Sequence, residues 1–136
     1  MTTMTPALTE QVNEGAVDVR TLTDEFDLIG ALRQLNELRP GQAWAFYSDP
    51  RDRRAAKLTV GLNADLGFVT WWDGHTSTHP VMTTATGDMV DYWNGAYHTQ
   101  VDQGRQIPAA YVFAAVAEFV ATRSRPHIIP WPAHAA

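Results

Sequence analysis

The side chains of this 136-residue chain that could move a proton, hold a metal or attack a carbonyl are few and scattered. There are five histidines: His75, His79, His98, His127 and His134. His75 and His79 are four apart, a spacing that joins two imidazoles on one zinc ion when the backbone is helical. Here they lie in HTSTHP, a strand-like stretch. Four residues along a strand put both rings on one face but roughly 13 Å apart, too far to share an ion. No Glu lies between them in the HExxH manner. The serines are Ser48, Ser77 and Ser124, and none sits in a GxSxG turn. No GxGxxG or phosphate-binding P-loop occurs, so no cofactor is expected. Cysteine is absent, which removes thiolate chemistry, disulfides and Cys-ligated zinc. One carboxylate stands out. Glu118 falls inside an apolar helical pattern, between Ala117 and Phe119. A carboxyl buried there would have a raised pKa and could serve as general acid or base. The plainer reading sets it on the helix flank, paired with Arg123 or Thr122.

Binding chemistry is better represented. Five tryptophans and four tyrosines are many for this length. Trp71 and Trp72 are neighbours on a strand and so point to opposite faces, one into the core. GDMVDYWNGAY interleaves Tyr92, Trp93 and Tyr97 with Asp88 and Asp91. Aromatic rings bring large contact area with little rotamer entropy, and with carboxylates among them they suit a basic protein partner. The expected contact residues are Trp72, Asp73, His75, Asp88, Asp91 and Trp93.

These residues need elements to hold them. Residues 1–15 lack periodicity and read as a flexible N-terminal tail before a single domain over 16–136. AVDVRTL alternates as a short strand. TDEFDLIGALRQLNELRPG is a helix with Thr23 as its cap, a stripe of Leu28, Leu32 and Leu35, and a stop at Pro40-Gly41. AWAFYS, KLTVGLN and LGFVTWWDG read as three strands. Asp73-Gly74 should turn FVTWW back onto HTSTH, and Asn94-Gly95 should join MVDYW to AYHTQV. A second helix opens at IPAAYVFAAVAEFVATR, with Pro108 in its first turn and Val112, Ala115, Val116 and Phe119 on one face. HIIPW then reads as a short C-terminal edge strand. The expected fold class is α+β: an antiparallel meander sheet of about five to six strands with two helices packed on it.

The totals restrict the partners. A formal charge of −5 disfavours nonspecific binding to nucleic acid. The first residues carry no basic-then-apolar signal pattern, and no run reaches the roughly 20 apolar residues of a membrane span. A cytoplasmic location is therefore expected, without membrane or nucleic-acid partners.

From about Leu66 onward the chain resembles the Imm1 family of bacterial immunity proteins. The resemblance is carried by Tyr92 and Asn94, Ile107-Pro108, Glu118-Phe119, Arg125-Pro126 and Trp131, with FVTWWDG in the place of the family's middle strand. It implies a protein that is not an enzyme and that neutralises a cognate toxin domain by binding it. The family's partners include nucleic-acid-targeting toxins, DNA cytosine deaminases among them, so a deaminase or nuclease covered at its active site is the expected partner. Two other readings stand beside this one. The first is a small-molecule-binding or enzymatic domain using Glu118 or a histidine. The second is an adaptor that binds through the HIIPW sheet edge.

Overall fold

A computed structural model describes residues 8–80 and 85–132. His134 and the first seven residues of the expected tail lie outside them. The core of the fold is a mixed sheet of eight strands: β1 (Ala16–Asp18), β2 (Gln42–Tyr47), β3 (Lys57–Asn63), β4 (Leu66–Trp72), β5 (Ser77–Thr78), β6 (Met89–Asn94), β7 (Tyr97–Asp102) and β8 (Ile107–Pro108). Its main path runs β5-β4-β3-β2-β6-β7. Three helices complete the fold: α1 (Leu8–Glu14), α2 (Leu28–Leu38) and α3 (Ala109–Thr122).

Strand alternation decides which side chains reach the main core. Trp44 and Phe46 of β2, Leu58, Val60 and Leu62 of β3, and Val69 and Trp71 of β4 are buried on the face that meets the helices. Helix α3 answers with Val112, Ala115, Val116 and Phe119, all fully buried, as the i, i+3, i+4, i+7 spacing requires. Phe119 meets Trp71 edge to face, ring centroids 5.7 Å apart. Each large side chain so placed contributes about 1.5–3 kcal/mol of burial energy. Trp72 points to the other face and donates its Nε1–H to the Arg53 carbonyl.

The α+β class stands, but the sheet is not an antiparallel meander. β1 pairs with β2 in parallel, Val17 opposite Phe46, and β6 also meets β2 in parallel at Gln42 and Trp93. Both therefore occupy the same edge of β2. Local turns specify only neighbouring antiparallel pairs, so these long-range pairings left no trace in the turn residues.

Among the described residues there are also three α-helices rather than two. Residues 8–14, within the stretch expected as a tail, form α1, and Val12 enters the core. The Val12 carbonyl accepts from the buried indole N–H of Trp44 at 2.8 Å. The Gln11 side chain accepts from the Asp18 N–H and donates to Thr21 Oγ1. A seven-residue helix has too little periodicity to announce itself and is stable only through such contacts.

Helix α2 is capped by Asp27 rather than Thr23. The Asp27 carboxylate accepts from the Gly30 N–H at 2.8 Å, while Thr23 to Phe26 form a separate turn. The HTSTH strand shrinks to Ser77–Thr78, because the Asp73 carboxylate accepts from the N–H groups of His75 and Thr76 and widens the turn. At the next hairpin Asn94 pairs with Tyr97, so the two turn residues are Gly95 and Ala96, one position later than expected.

HIIPW is not a strand. After Arg123, which ends α3 in the left-handed conformation (φ 59°), the chain makes an irregular turn over 126–131. Pro126 and Pro130 have no N–H to give a ladder. The N–H groups of His127 and Ile128 go instead to Glu118. No helix among the described residues is long and apolar enough to cross a membrane.

Candidate protein-binding surface

Among the described residues the β6–β7 hairpin carries three of the seven large hydrophobic side chains that are exposed, Met89, Trp93 and Tyr97. Its inner face, Val90, Tyr92, Asn94, Thr99 and Val101, turns toward the side of the sheet opposite the helices. Tyr92 is fully buried there, edge to face with Phe68 at 4.8 Å. Together with Ala43 and Val101 these rings form a second, small core, separate from the first. Gly61 lies beneath them: a Cβ on it would collide with the Phe68 ring. The Tyr92 hydroxyl donates to Gln106 Oε1 at 3.3 Å, and burial pushes its pKa up to about 12. Asn94 anchors the base of the turn, donating to the Gly15 carbonyl at 3.0 Å.

The outer face shows Met89, Asp91 and Trp93, with His98 and Gln100 beside them across the hairpin. Asp91 Oδ1 accepts from Gln100 Nε2 at 3.0 Å and meets His98 Nε2 at 2.7 Å. The Gln100 bond, then the His98 contact, hold the Asp91 carboxyl below the usual carboxylate range, so it is ionised near neutral pH. Trp93 lies against the His98 ring at 4.6 Å and is 49% exposed, while Tyr97 at the tip is 81% exposed. Residues 95–100 are exposed on both strand faces, and the turn rests beside α1, where a Cβ on Gly95 would lie 3.6 Å from the Glu14 carbonyl. The root is fixed by Asp102, whose carboxylate accepts from the N–H groups of Thr86, Gly87 and Gly104.

The six expected contact residues do not form one patch. Asp88, Asp91 and Trp93 share the hairpin. Trp72 sits at the other end of the sheet, in the row Tyr47–Lys57–Trp72, with Asp73 and His75 in the turn beyond it, whereas Trp93 is level with Gln42. Five residues along β2 separate the rows, roughly 16 Å. Asp73 is exposed but engaged in its own turn, and the two N–H bonds from Thr76 and His75 lower its pKa. Tyr97 belongs with the hairpin residues and was not among the expected contacts. The strand alternation that exposes Trp93 did not extend past the turn, where its one-residue shift resets the parity.

The remaining singled-out residues have structural partners. Glu118 has the opposite of a general acid's shift. Its carboxylate accepts from the His127 N–H (2.6 Å) and the Ile128 N–H (3.1 Å) and meets His127 Nδ1 (2.9 Å). These bonds, the His127 N–H first, lower its pKa. It pairs with neither Arg123 nor the Thr122 side chain; that hydroxyl donates to the Glu118 carbonyl instead. Pro126 is buried, and its carbonyl accepts from the Trp131 indole N–H at 2.7 Å. Arg125 lies over the Trp131 ring. Ile107 is buried and Pro108 precedes the first turn of α3. His79 has its pKa lowered by partial burial and by the charge of Arg105. Among the described residues no three His, Asp or Glu side chains converge to hold a metal ion.

Between the hairpin's inner face and the sheet lies an open groove of about 680 Å³. Its floor is Ala43, Ala45, Thr59 and Phe68, its walls include Tyr47 and Tyr97, and its cations are Lys57 and Arg105. Arg105 Nη2 donates to Thr70 Oγ1 at 2.9 Å, and its buried Nε has no acceptor among the described residues. Burial lowers the Arg105 pKa, with Asp102 acting weakly the other way. This site was not legible beforehand, because β2, β3, β4 and β7 each contribute only a few polar-parity residues.

Residues 16–133 match the family model of immunity protein Imm1. No curated protein matches the chain.

Proposed function

We infer, since the chain belongs to the Imm1 family of immunity proteins, that its partner is a toxin protein and that it neutralises this toxin by inserting the β6–β7 hairpin into the active-site cleft. The observation that carries this reading is the hairpin end, where residues 95–100 are exposed on both faces, with Trp93 beside the ionised Asp91 on one face and Tyr97 on the other. Protruding aromatic side chains are the commonest interface anchors. Carboxylates at Asp88 and Asp91 match a cleft built for a phosphate backbone, which favours a nucleic-acid deaminase or nuclease as the toxin. Attraction between a chain of charge −5 and such a cleft would also speed capture. The protein then acts by binding, without catalysis or a cofactor, in the cytoplasm where such a toxin would do harm. Asp73, His75 and Trp72 are too far along the sheet to share this contact and belong at most to its margin.

The test is co-expression with the toxin domain encoded by the adjacent gene. Wild-type protein should restore growth and co-purify with the toxin. Trp93→Ala and Tyr97→Ala should keep their circular dichroism spectrum yet lose protection. Purified partners that fail to associate at micromolar concentration would sink the immunity reading. Full protection by both variants would sink the hairpin.

A further inference from the structure

The hairpin groove carries two cationic side chains. Lys57 and Arg105 line it, yet no carboxylate among the described residues lies within 4 Å of either. The Asp102 carboxylate acts on Arg105 from a distance and is itself taken up by the N–H groups of Thr86, Gly87 and Gly104. Lys57 Nζ rests over the Tyr47 ring at 5.7 Å. Arg105 keeps one buried N–H without an acceptor among the described residues. A half-buried guanidinium with an unmet donor is complementary to an anion that arrives from outside.

The shape says what kind of anion. Ala43, Ala45 and Tyr47 run along the floor for four residues of strand, about 13 Å. The small side chains let another backbone approach closely, and Thr59, Thr70 and Thr99 also line it. A trough of this length takes a few residues of extended chain rather than a single ion. Glu14, the carboxylate on its rim, would repel an acidic chain at that end, so the carboxylates must lie toward Arg105 and Lys57.

We propose that this groove seats an acidic segment of the partner protein, so that the hairpin is gripped on both faces: its outer face by the toxin's cationic cleft, its inner groove by a carboxylate-bearing stretch beside that cleft. The toxin as source rests on the immunity reading; the groove's preference for acidic peptide does not.

Two measurements test it. In the first, isotopically labelled protein is titrated with end-blocked tetra-aspartate and, separately, tetra-lysine, and backbone amide shifts are followed. Tetra-aspartate alone should move the amides of Thr59, Thr70 and Thr99. The response should vanish in Lys57→Glu and fall in Arg105→Gln, with dispersed spectra showing both variants folded. No shift at these amides, or an equal response to tetra-lysine, overturns the proposal. In the second, the toxin domain from the adjacent gene is titrated calorimetrically. Lys57→Glu should weaken it by about tenfold or more, as expected for a charge pair sheltered in an interface. Wild-type affinity in both groove variants overturns the groove while leaving the immunity reading intact. If the toxin does not bind at all, the immunity reading falls and the peptide titration still decides the groove.

Discussion

Replacing Glu118 separates a structural carboxylate from a catalytic one. In the wild type this side chain, 24% exposed, takes two backbone N–H groups at 2.6 and 3.1 Å and thereby folds the segment that carries Pro126, Ile129 and Trp131. A hydrogen bond to a charged acceptor contributes about 1.5–3 kcal/mol when sheltered. Solvent reaches this pair, so the lower end applies, discounted for screening, to give about 2 kcal/mol for both bonds together. Glu118→Gln should lose most of this, since the amide keeps one acceptor and turns an N–H toward the other donor. For 136 residues the entropy of unfolding is about 0.3 kcal/mol/K, so the melting temperature should fall by about 7 °C. The pH dependence has a definite sign. The folded pKa lies below the ordinary 4.5, so the carboxylate's stabilisation is complete above the unfolded value and is lost as pH falls through the folded one. The difference between wild type and Glu118→Gln should therefore be constant near neutrality and shrink below about pH 4.5. Urea denaturation at several pH values, with hydrogen exchange at His127 and Ile128, measures both effects. A variant within about 0.5 kcal/mol of wild type at pH 7, or a difference that grows in acid, would refute the capping role.

Other perturbations address the hairpin and its supports. Gly61→Ala would drive a methyl into the Phe68 and Tyr92 rings and should destabilise by about 1–3 kcal/mol, with a changed near-UV spectrum. Asn36→Ala removes a side chain that donates to the Ala64 carbonyl and accepts from its N–H, at 2.9 and 3.0 Å. The loss should be about 1–3 kcal/mol by urea denaturation. Ala64 itself holds φ 56° in the β3–β4 turn, so Ala64→Gly should raise stability by up to about 1 kcal/mol. A melting temperature unchanged or lowered in that variant would argue that the turn carries no strain.

The parts of the fold fixed by local pattern were legible and the parts fixed by distant contact were not. Val112, Ala115, Val116 and Phe119 share a helix face because their spacing compels it, and Leu58, Val60 and Leu62 share a strand face for the same reason. The parallel pairings of β1 and β6 depend instead on Gly15 and Asn94, 79 residues apart, meeting at one carbonyl. HIIPW has the composition of a strand, but its N–H groups were already claimed by a carboxylate nine and ten residues earlier. For the binding surface, alternation within MVDYWN placed Asp91 and Trp93 together on the outer face. It could not show that Trp72, attractive for the same chemical reasons, lies at the far end of the sheet.

The separation of the two cores has a consequence for how such a protein can change partners. The helices and β3 are held by the large cluster around Phe119, Leu62 and Trp44, whereas the hairpin rests on four residues: Ala43, Phe68, Tyr92 and Val101. The side chains at 96–100 belong to neither cluster, so these positions can be rewritten without opening either core, while Gly95, at φ 58°, must stay. A library randomised over these positions would sample new specificities on an intact scaffold. The limit on retargeting would then be set by the shape of the new cleft rather than by the stability of the inhibitor.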